Sequence, residues 1–290
     1  MFDSAFAVLV SAGLHAQWNF LLRRAGGGTL IVALSKVAEV ALLLPVFMVL
    51  LVRLGPLSPA RYLPAVAVGG MFVLANYLAL AAAYRRGDLS LVYPVARGGI
   101  FLFLPVLGLI VFNERLGAAS WLALALILGG TTCLPLDSLA WNAVRQVRER
   151  LRSGAIGFAL LAAFTAAAYT IWDKFAVGFL DAFLYFYGYT ALIGVFFGAM
   201  VARATRAEVA EQWLAHRGAI VLIALLNSTA YLLVLLALRT GASTQVLAVR
   251  QLSIPIGVLL GWRFLAERVT PPRALGAILI TAGCTLAAFD

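Results

Sequence analysis

The chain has 290 residues, of which 63% are hydrophobic and only 12% are charged, and its mean hydropathy is +1.00. Average soluble domains carry about 25% charged residues, so this composition excludes a soluble protein, which could not bury so much apolar surface. The net charge of +10 would suggest nucleic acid as the partner of a soluble protein. Here the arginines lie mostly in short polar stretches between apolar runs, where they set membrane topology, so we expect no nucleic-acid partner.

Runs of about 20 apolar residues recur along the whole chain, and each is long enough to cross a hydrocarbon core of about 30 Å. Their continuous Leu-rich and Ala-rich composition favours helices over a β-barrel, whose strands would alternate over about ten residues. We predict an all-α integral membrane protein with ten transmembrane helices, which cover roughly residues 4–22, 29–52, 62–84, 90–112, 118–136, 154–177, 180–202, 217–238, 243–265 and 273–289.

Similar stretches about 150 residues apart indicate an internal repeat. The matched positions are Tyr77 with Tyr231, Arg85 with Arg239, Glu114–Arg115 with Glu267–Arg268, and Arg23 with Lys174. We therefore predict two five-helix repeats, residues 1–137 and 154–290, which a loop or surface helix at 138–153 connects. Because five is odd, the second repeat enters the membrane from the opposite side, an inverted arrangement that is common in secondary transporters.

The distribution of basic residues predicts the sidedness of the termini. Outside the spans, fourteen of nineteen Lys and Arg lie in loops after odd-numbered helices. Since basic loops face the cytoplasm, this count places both termini outside.

The first span contains the stretch "SAGLHAQWNF", which is unusually polar for a membrane helix. Ser11, His15, Trp18 and Asn19 fall on one stripe of the helix. This stripe predicts a wall of a polar cavity, in which His15 could also exchange a proton near neutral pH. The alternative is that His15 and Asn19 hydrogen-bond to neighbouring helices and hold the bundle together.

In the second span, Lys36 and Glu39 are three residues apart, a spacing at which two side chains of a helix can pair. One interpretation is a self-neutralising pair that faces the bundle. In the other, Glu39 exchanges protons or Lys36 attracts an anion.

Arg97 and Arg250 occupy almost the same place in the two repeats. Arg97 aligns with Gln251, which is the residue next to Arg250. Pro94 and Pro255 interrupt the backbone nearby. Two guanidinium groups near the midplane could hold a carboxylate, phosphate or phosphonate through paired hydrogen bonds. The alternative is that each arginine extends to the membrane surface or pairs with an acid such as Glu39.

Aromatic residues complete the predicted site, and we expect Tyr77, Tyr93 and Tyr231 to shape it. An aromatic cage for a quaternary amine is a further possibility for these side chains. We expect Asp173 and Lys174, near the end of the sixth span, to form a solvated rim. No cofactor or metal motif is found in the sequence.

Together, the ten helices in two repeats, an aromatic–small pair late in the first helix, and the stretches "NERLGAASWLALALILGG" and "AERVTPPRALGAILITAGC" after helices four and nine resemble the EamA type of the drug/metabolite transporter superfamily. The stretch "HAQWN" is similar to a subgroup associated with phosphonate utilisation. The resemblance implies that helices 1–4 and 6–9 surround a central cavity and that helices 5 and 10 are peripheral. It also implies transport of small metabolites and cytoplasmic termini, in contrast to the charge count.

These observations predict a secondary transporter that moves a small anionic or zwitterionic metabolite by alternating access, coupled to protons or to exchange. Export of a cationic or quaternary-amine compound is the alternative within transport, and a membrane enzyme or a scaffold is the alternative outside it. We expect a multi-pass protein of a cell membrane, such as a bacterial inner membrane, that is a monomer or a homodimer.

Overall fold

The computed structural model describes residues 2–55, 57–87, 89–136 and 154–289, and within these ranges the only regular elements are twelve α-helices. In chain order they are α1 (Phe2–Arg24), α2 (Thr29–Leu54), α3 (Pro59–Tyr84), α4 (Leu89–Gly98), α5 (Ile100–Phe112), α6 (Ala118–Cys133), α7 (Gly154–Val177), α8 (Ala182–Arg203), α9 (Arg206–Leu238), α10 (Ser243–Arg250), α11 (Ser253–Leu265) and α12 (Pro271–Phe289). The predicted connecting segment at 138–153 lies outside the described residues.

The predicted all-α membrane fold is confirmed. Over the described ranges, nine segments are helical, long and apolar enough to cross a membrane, and two of these segments combine α4 with α5 and α10 with α11. The remaining predicted span, the fifth, is α6, whose 16 residues reach about 24 Å, slightly short of a typical hydrocarbon core.

The eighth span begins much earlier than the sequence predicts. Helix α9 starts at Arg206 rather than near residue 217 and runs for 33 residues, about 50 Å. A capping box fixes its start, since the Thr205 hydroxyl accepts from the Glu208 backbone N–H while the Glu208 carboxylate accepts from the Thr205 N–H. The first three turns are largely exposed and contain three charged residues, whereas no charged residue lies between Gly218 and Leu238.

The fourth and ninth spans are each divided into two helices, at corresponding positions in the two predicted repeats. In the ninth span, Pro255 has no N–H to donate to the carbonyl of Gln251, and Ile254 N–H donates to that carbonyl instead at 2.9 Å. In the fourth span the interruption falls at the Gly98–Gly99 pair, which has low helix propensity. Two different local causes thus give the same division.

The helix contacts are related by exchange of the two halves. The first span packs on the eighth (α1 on α9), and correspondingly the sixth packs on the third (α7 on α3). The first also contacts the ninth (α10 and α11), and the sixth contacts the fourth (α4 and α5). The second span pairs with the seventh, and the fifth with the tenth. The contacts of the first five spans thus correspond to those of the last five.

Polar and apolar side chains are distributed as in a protein that is surrounded by lipid. Large apolar side chains such as Val52, Ile110 and Val195 are exposed on the outside, whereas His15, Glu39 and Asp173 are buried in the bundle. Because hydrocarbon solvates neither charges nor hydrogen-bonding groups, these interior polar groups depend on one another for partners.

Helices α6 and α12 form the most extensive helix pair, and glycines allow their backbones to touch. A methyl group placed on Gly130 would lie 2.6 Å from the carbonyl oxygen of Gly276 and 2.9 Å from the backbone nitrogen of Ile280. Close backbone approach through small residues is the usual basis of helix packing in membranes. The small residues of these two helices therefore serve packing within the chain.

We predict that Gly130→Ala lowers the stability of the protein by about 1–3 kcal/mol, because backbone atoms cannot move aside as a flexible side chain can. The measurement is the thermal unfolding midpoint of the purified protein in detergent. Gly129→Ala is the matched control, since nothing lies within 4 Å of a methyl group there. Equal midpoints for the two variants would contradict the close contact.

Candidate functional site

Arg250 is the last residue of α10, at the interruption of the ninth span, and only 9% of its surface is exposed. Its Nη2 atom lies 3.2 Å from His15 Nδ1, and its guanidinium carbon lies 5.2 Å from the centroid of the Tyr231 ring. The partial negative charge at the end of a helix also favours a cation at this position. Arg250 is therefore stabilised by an imidazole, an aromatic face and a helix terminus.

His15 is held in its neutral form by the donors around it. Its Nδ1 atom lies 3.2 Å from both Trp18 Nε1 and Arg250 Nη2. An indole N–H and a guanidinium can only donate, so Nδ1 accepts and the ring proton sits on Nε2. His15 thus orients Arg250 in this structure.

The sequence places Arg97 and Arg250 at corresponding positions, and the fold brings them into one region. Arg97 lies in the last turn of α4, before the interruption of the fourth span, and its guanidinium lies 6.0 Å from the centroid of the Tyr93 ring. It is close enough to His15 and Arg250 to act electrostatically on both. Among the described residues, neither arginine has a carboxylate within ion-pair distance. The suggested pairing of Arg97 with Glu39 does not occur.

The expectation that Asp173 lies on a solvated rim is wrong, since this residue is completely buried. Tyr185 OH donates to its Oδ1 atom at 2.6 Å, and Tyr231 OH donates to its Oδ2 atom. Tyr231 thus contacts Asp173 through its hydroxyl and Arg250 through its ring face. The buried chain of polar groups runs from Asp173 through Tyr231 and Arg250 to His15.

Glu39 forms a second buried polar group, between α2 and α9. Lys36 Nζ lies 2.7 Å from its Oε2 atom, as the spacing in the sequence predicts. Ser228 donates to Glu39 Oε1 at 2.9 Å, and Asn227 Nδ2 lies 3.3 Å from the same oxygen. With a counter-ion and two hydrogen-bond donors, the carboxylate of Glu39 is fully compensated in this structure.

The other predicted site residues have their observed contacts with groups other than the arginines. Asn19 donates to the backbone of its own helix, at His15 O, and Gln251 likewise bonds to Leu247 O. Tyr77 packs edge-on against Phe197 and lies within electrostatic range of Lys36 rather than beside Arg250. Ser11, on the same stripe as His15, donates to Ala230 O at 2.6 Å and thus connects α1 to α9.

Two ion pairs at repeat-related positions close the ends of the bundle. Lys174 Nζ lies 2.5 Å from Glu114 Oε1, and Arg23 Nη1 lies 2.6 Å from Glu267 Oε1. Each glutamate follows a residue in the left-handed region, Asn113 (φ 54°) or Ala266 (φ 53°). The doubled Glu-Arg of the sequence thus supplies an acid that pairs with the last turn of the first helix of the other half.

The two ends differ in burial. Glu114 also accepts from the backbone N–H of Ser243 at 3.0 Å and from its hydroxyl at 2.7 Å, so it caps α10. Lys174 additionally donates to Gly241 O at 2.8 Å. The Arg23 side chain, in contrast, is 54% exposed. The Lys174 end is therefore tied to three helices, and the Arg23 end is more accessible to water.

Sequence analysis missed Asp173, Tyr185 and Glu114. Asp173 lies within the predicted sixth span, so the rule that intramembrane acids are functional candidates would have selected it. Because Asp173 lies near the end of this span, the sequence suggested a solvated residue instead. Among the described residues, no group of three or more His, Cys, Asp or Glu side chains could hold a metal ion.

We predict that Glu114→Gln lowers the free energy of unfolding by about 1–3 kcal/mol, because it leaves Lys174 without its buried counter-ion. Glu267→Gln is the repeat-related control, for which we expect a loss below about 1 kcal/mol, since its pair is largely exposed. Thermal unfolding midpoints in detergent give the comparison. Equal losses would show that the burial of the two pairs does not set their strength.

Comparisons with known proteins bear on the fold and on the family. A solved crystal structure of a protein superimposes with a TM-score of 0.75 over 99% of this chain and 96% of the other, at 14% sequence identity. At that identity, the likeness shows the fold alone. A search of curated proteins gives no match.

Residues 153–289 match the EamA-like transporter family. This range begins one residue before α7 and ends with α12, so it covers the five spans of the second predicted repeat. Family members are membrane transporters of small molecules, which agrees with the apolar helices and the buried polar groups. The second half of the chain thus matches the EamA-like transporter family, which is part of the drug/metabolite transporter superfamily, and the chain is a multi-pass membrane protein.

Proposed function

We propose that the protein is a secondary transporter that moves a small anionic or zwitterionic solute across a cell membrane by alternating access. The solute class rests on one observation, the buried and incompletely partnered guanidinium of Arg250. We place the protein in a bacterial inner membrane, where a monomer or a homodimer would carry out this function.

Arg250 retains binding capacity inside the bundle. Its Nε atom is buried and has no hydrogen-bond partner among the described residues. A guanidinium has five N–H donors in a planar fork, and the fork matches a carboxylate, phosphate or phosphonate. His15 and Tyr231 compensate the positive charge without neutralising it, because both are uncharged. An anion would supply the missing charge and the missing acceptor.

Arg97 strengthens the same argument from the other half of the chain. It adds a second positive charge near Arg250 and, among the described residues, has no carboxylate of its own at ion-pair distance. Both arginines lie just before the interruption of a span, and transporters commonly place their substrate sites at such interruptions. Two arginines from related halves fit an anionic group that lies between them.

The two repeat-related ion pairs support the alternating-access part of the proposal. Glu114–Lys174 lies where the fourth and sixth spans end, and Glu267–Arg23 lies where the ninth and first spans end. In an inverted repeat these two places are on opposite sides of the membrane. Opening one end requires its pair to separate while the other pair holds. The difference in burial favours first opening at the Arg23 end.

Export of a cation is the second candidate, and the surroundings of Asp173 favour it. Tyr169, Phe186 and Tyr189 lie around Tyr231, with ring centroids 6.1–6.5 Å away, and Asp173 supplies a negative charge beside this aromatic group. An amine could contact both. Glu39 does not add to this site, because Lys36 already neutralises it.

The test is a ligand-binding measurement on the purified protein in detergent, with methanesulfonate, inorganic phosphate, succinate, L-alanine and tetramethylammonium as probes. A bound probe raises the unfolding midpoint, by about 2.7 kcal/mol of stabilisation at one hundred times its dissociation constant. We expect stabilisation by at least one anion or by L-alanine. Arg250→Ala should weaken this binding by about 2–5 kcal/mol. Arg250→Lys should recover it only in part, because an ammonium lacks the planar fork.

Arg263→Ala is the matched control, since Arg263 lies in the same span but is exposed beside Phe264. It should leave probe binding unchanged. Stabilisation by tetramethylammonium alone, retained in Arg250→Ala, would contradict the arginine site and support export of a cation. Counterflow of a stabilising probe into proteoliposomes, with the probe recovered unchanged, then distinguishes transport from a scaffold or an enzyme.

A further inference from the structure

Asp173 is a buried carboxyl group without a counter-ion in direct contact. Its partners are the hydroxyl groups of Tyr185 and Tyr231, and no basic side chain of the described residues lies within 4.0 Å of it. An ionised carboxylate is expensive to hold in the membrane interior, and two neutral donors offset only part of that cost. Burial therefore favours the protonated carboxyl group of Asp173, whereas the two tyrosine hydroxyl donors favour the ionised one.

Among the described residues, few titratable groups face Asp173 from the helices that surround it. Tyr169 lies on its own helix, Tyr185 and Tyr189 come from α8, Tyr231 comes from α9 and Arg250 comes from α10. Arg250 acts electrostatically on Asp173, and its guanidinium lies over the Tyr231 ring. Arg97 on α4 acts on Arg250, and both arginines act on His15 on α1, whereas neither Arg97 nor His15 acts appreciably on Asp173.

The charges of this region balance differently with and without a bound anion. In the empty site, ionised Asp173 compensates part of the positive charge of Arg250 through Tyr231. When an anion binds between Arg250 and Arg97, it adds a second negative charge to the region that holds ionised Asp173, in a medium of low dielectric constant where like charges repel strongly. Adding one proton to Asp173 removes that repulsion and returns the region to its original net charge.

We propose that Asp173 carries the proton that is transported together with the substrate anion; this inference rests on the proposed function. In the binding step, a proton from water adds to a carboxylate oxygen of Asp173 while the anion occupies Arg250. In the release step, the carboxyl group returns the proton to water on the other side as the anion leaves. A monoanion and one proton cross together, so the cycle is electroneutral.

The position of Asp173 also connects the site to one end of the bundle. Lys174, the next residue, holds Glu114 and Gly241 O and so ties α7 to the start of α10. Protonation weakens the hold of the carboxyl group on Tyr185 and Tyr231, because a neutral oxygen is a weaker acceptor than a charged one. The last turn of α7 is then freer to move, together with Lys174.

The experiment measures the affinity for methanesulfonate and for L-alanine in mildly acidic and mildly alkaline solution, because neither probe changes its net charge over that range. In the wild type, anion binding takes up a proton, so affinity rises as pH falls, by at most about tenfold per pH unit. Asp173→Asn mimics the protonated acid. We expect it to bind with the acidic wild-type affinity at both pH values.

Two control variants assign the pH dependence. Asp181→Asn changes an aspartate that caps α8 outside this region, and Glu39→Gln changes the other buried acid. Both should keep the wild-type pH dependence. If Asp173→Asn keeps it as well, or if Glu39→Gln loses it, the assignment of the proton to Asp173 is wrong while the anion site stands. If neither probe binds the wild type, this inference fails, and if phosphate and succinate do not bind either, the proposed function fails with it.

Tyr185→Phe provides a second test that does not depend on the folding of Asp173→Asn. It removes a donor that favours the ionised carboxylate and leaves Arg250 untouched. The pH at which affinity declines should therefore shift upward, and binding in alkaline solution should be tighter than in the wild type. An unchanged or a downward shift would overturn the proposal.

Discussion

The structure depends on how a guanidinium is kept charged inside an apolar bundle. Arg250 is buried, and no carboxylate of the described residues lies within ion-pair distance of it. Its compensation comes instead from the lone pair of His15, the face of the Tyr231 ring and the negative end of α10. These sources stabilise the charge without cancelling it. Lys36, by contrast, is neutralised by an acid on its own helix. The two basic residues therefore differ in what they can offer a solute.

Much of this architecture is encoded locally and could be predicted. Apolar runs of sufficient length give the spans, and the spacing of Lys36 and Glu39 gives their ion pair. Alignment of the halves predicts that Arg97 and Arg250 occupy related places. The burial of Asp173 could not be predicted in this way, because its cover comes from Tyr185 and Tyr231 on two later helices. Burial is a property of the assembled bundle, whereas the sequence shows only how near a residue is to the end of its helix.

The same distinction applies to the doubled Glu-Arg of the two halves. The sequence marks these pairs as repeated, and the structure gives the reason, since each glutamate pairs with a basic residue at the end of a helix from the other half. The partners differ, a lysine in one case and an arginine in the other, and only Glu114 is shown to cap a helix as well. Because the two related halves have diverged, the ion pairs at the two ends of the bundle differ in strength.

Helix α9 has a mechanical consequence that follows from its length. Its first turns are polar and exposed, and its middle supplies Asn227 and Ser228 to the carboxylate of Glu39. No proline or glycine pair interrupts the segment between these two regions. One continuous helical segment of about 32 Å therefore connects the exposed start of α9 to the residues that hold Glu39. A tilt of the exposed end, whatever its origin, moves Asn227 and Ser228 relative to Glu39 and changes the hydrogen bonds that they donate to its carboxylate.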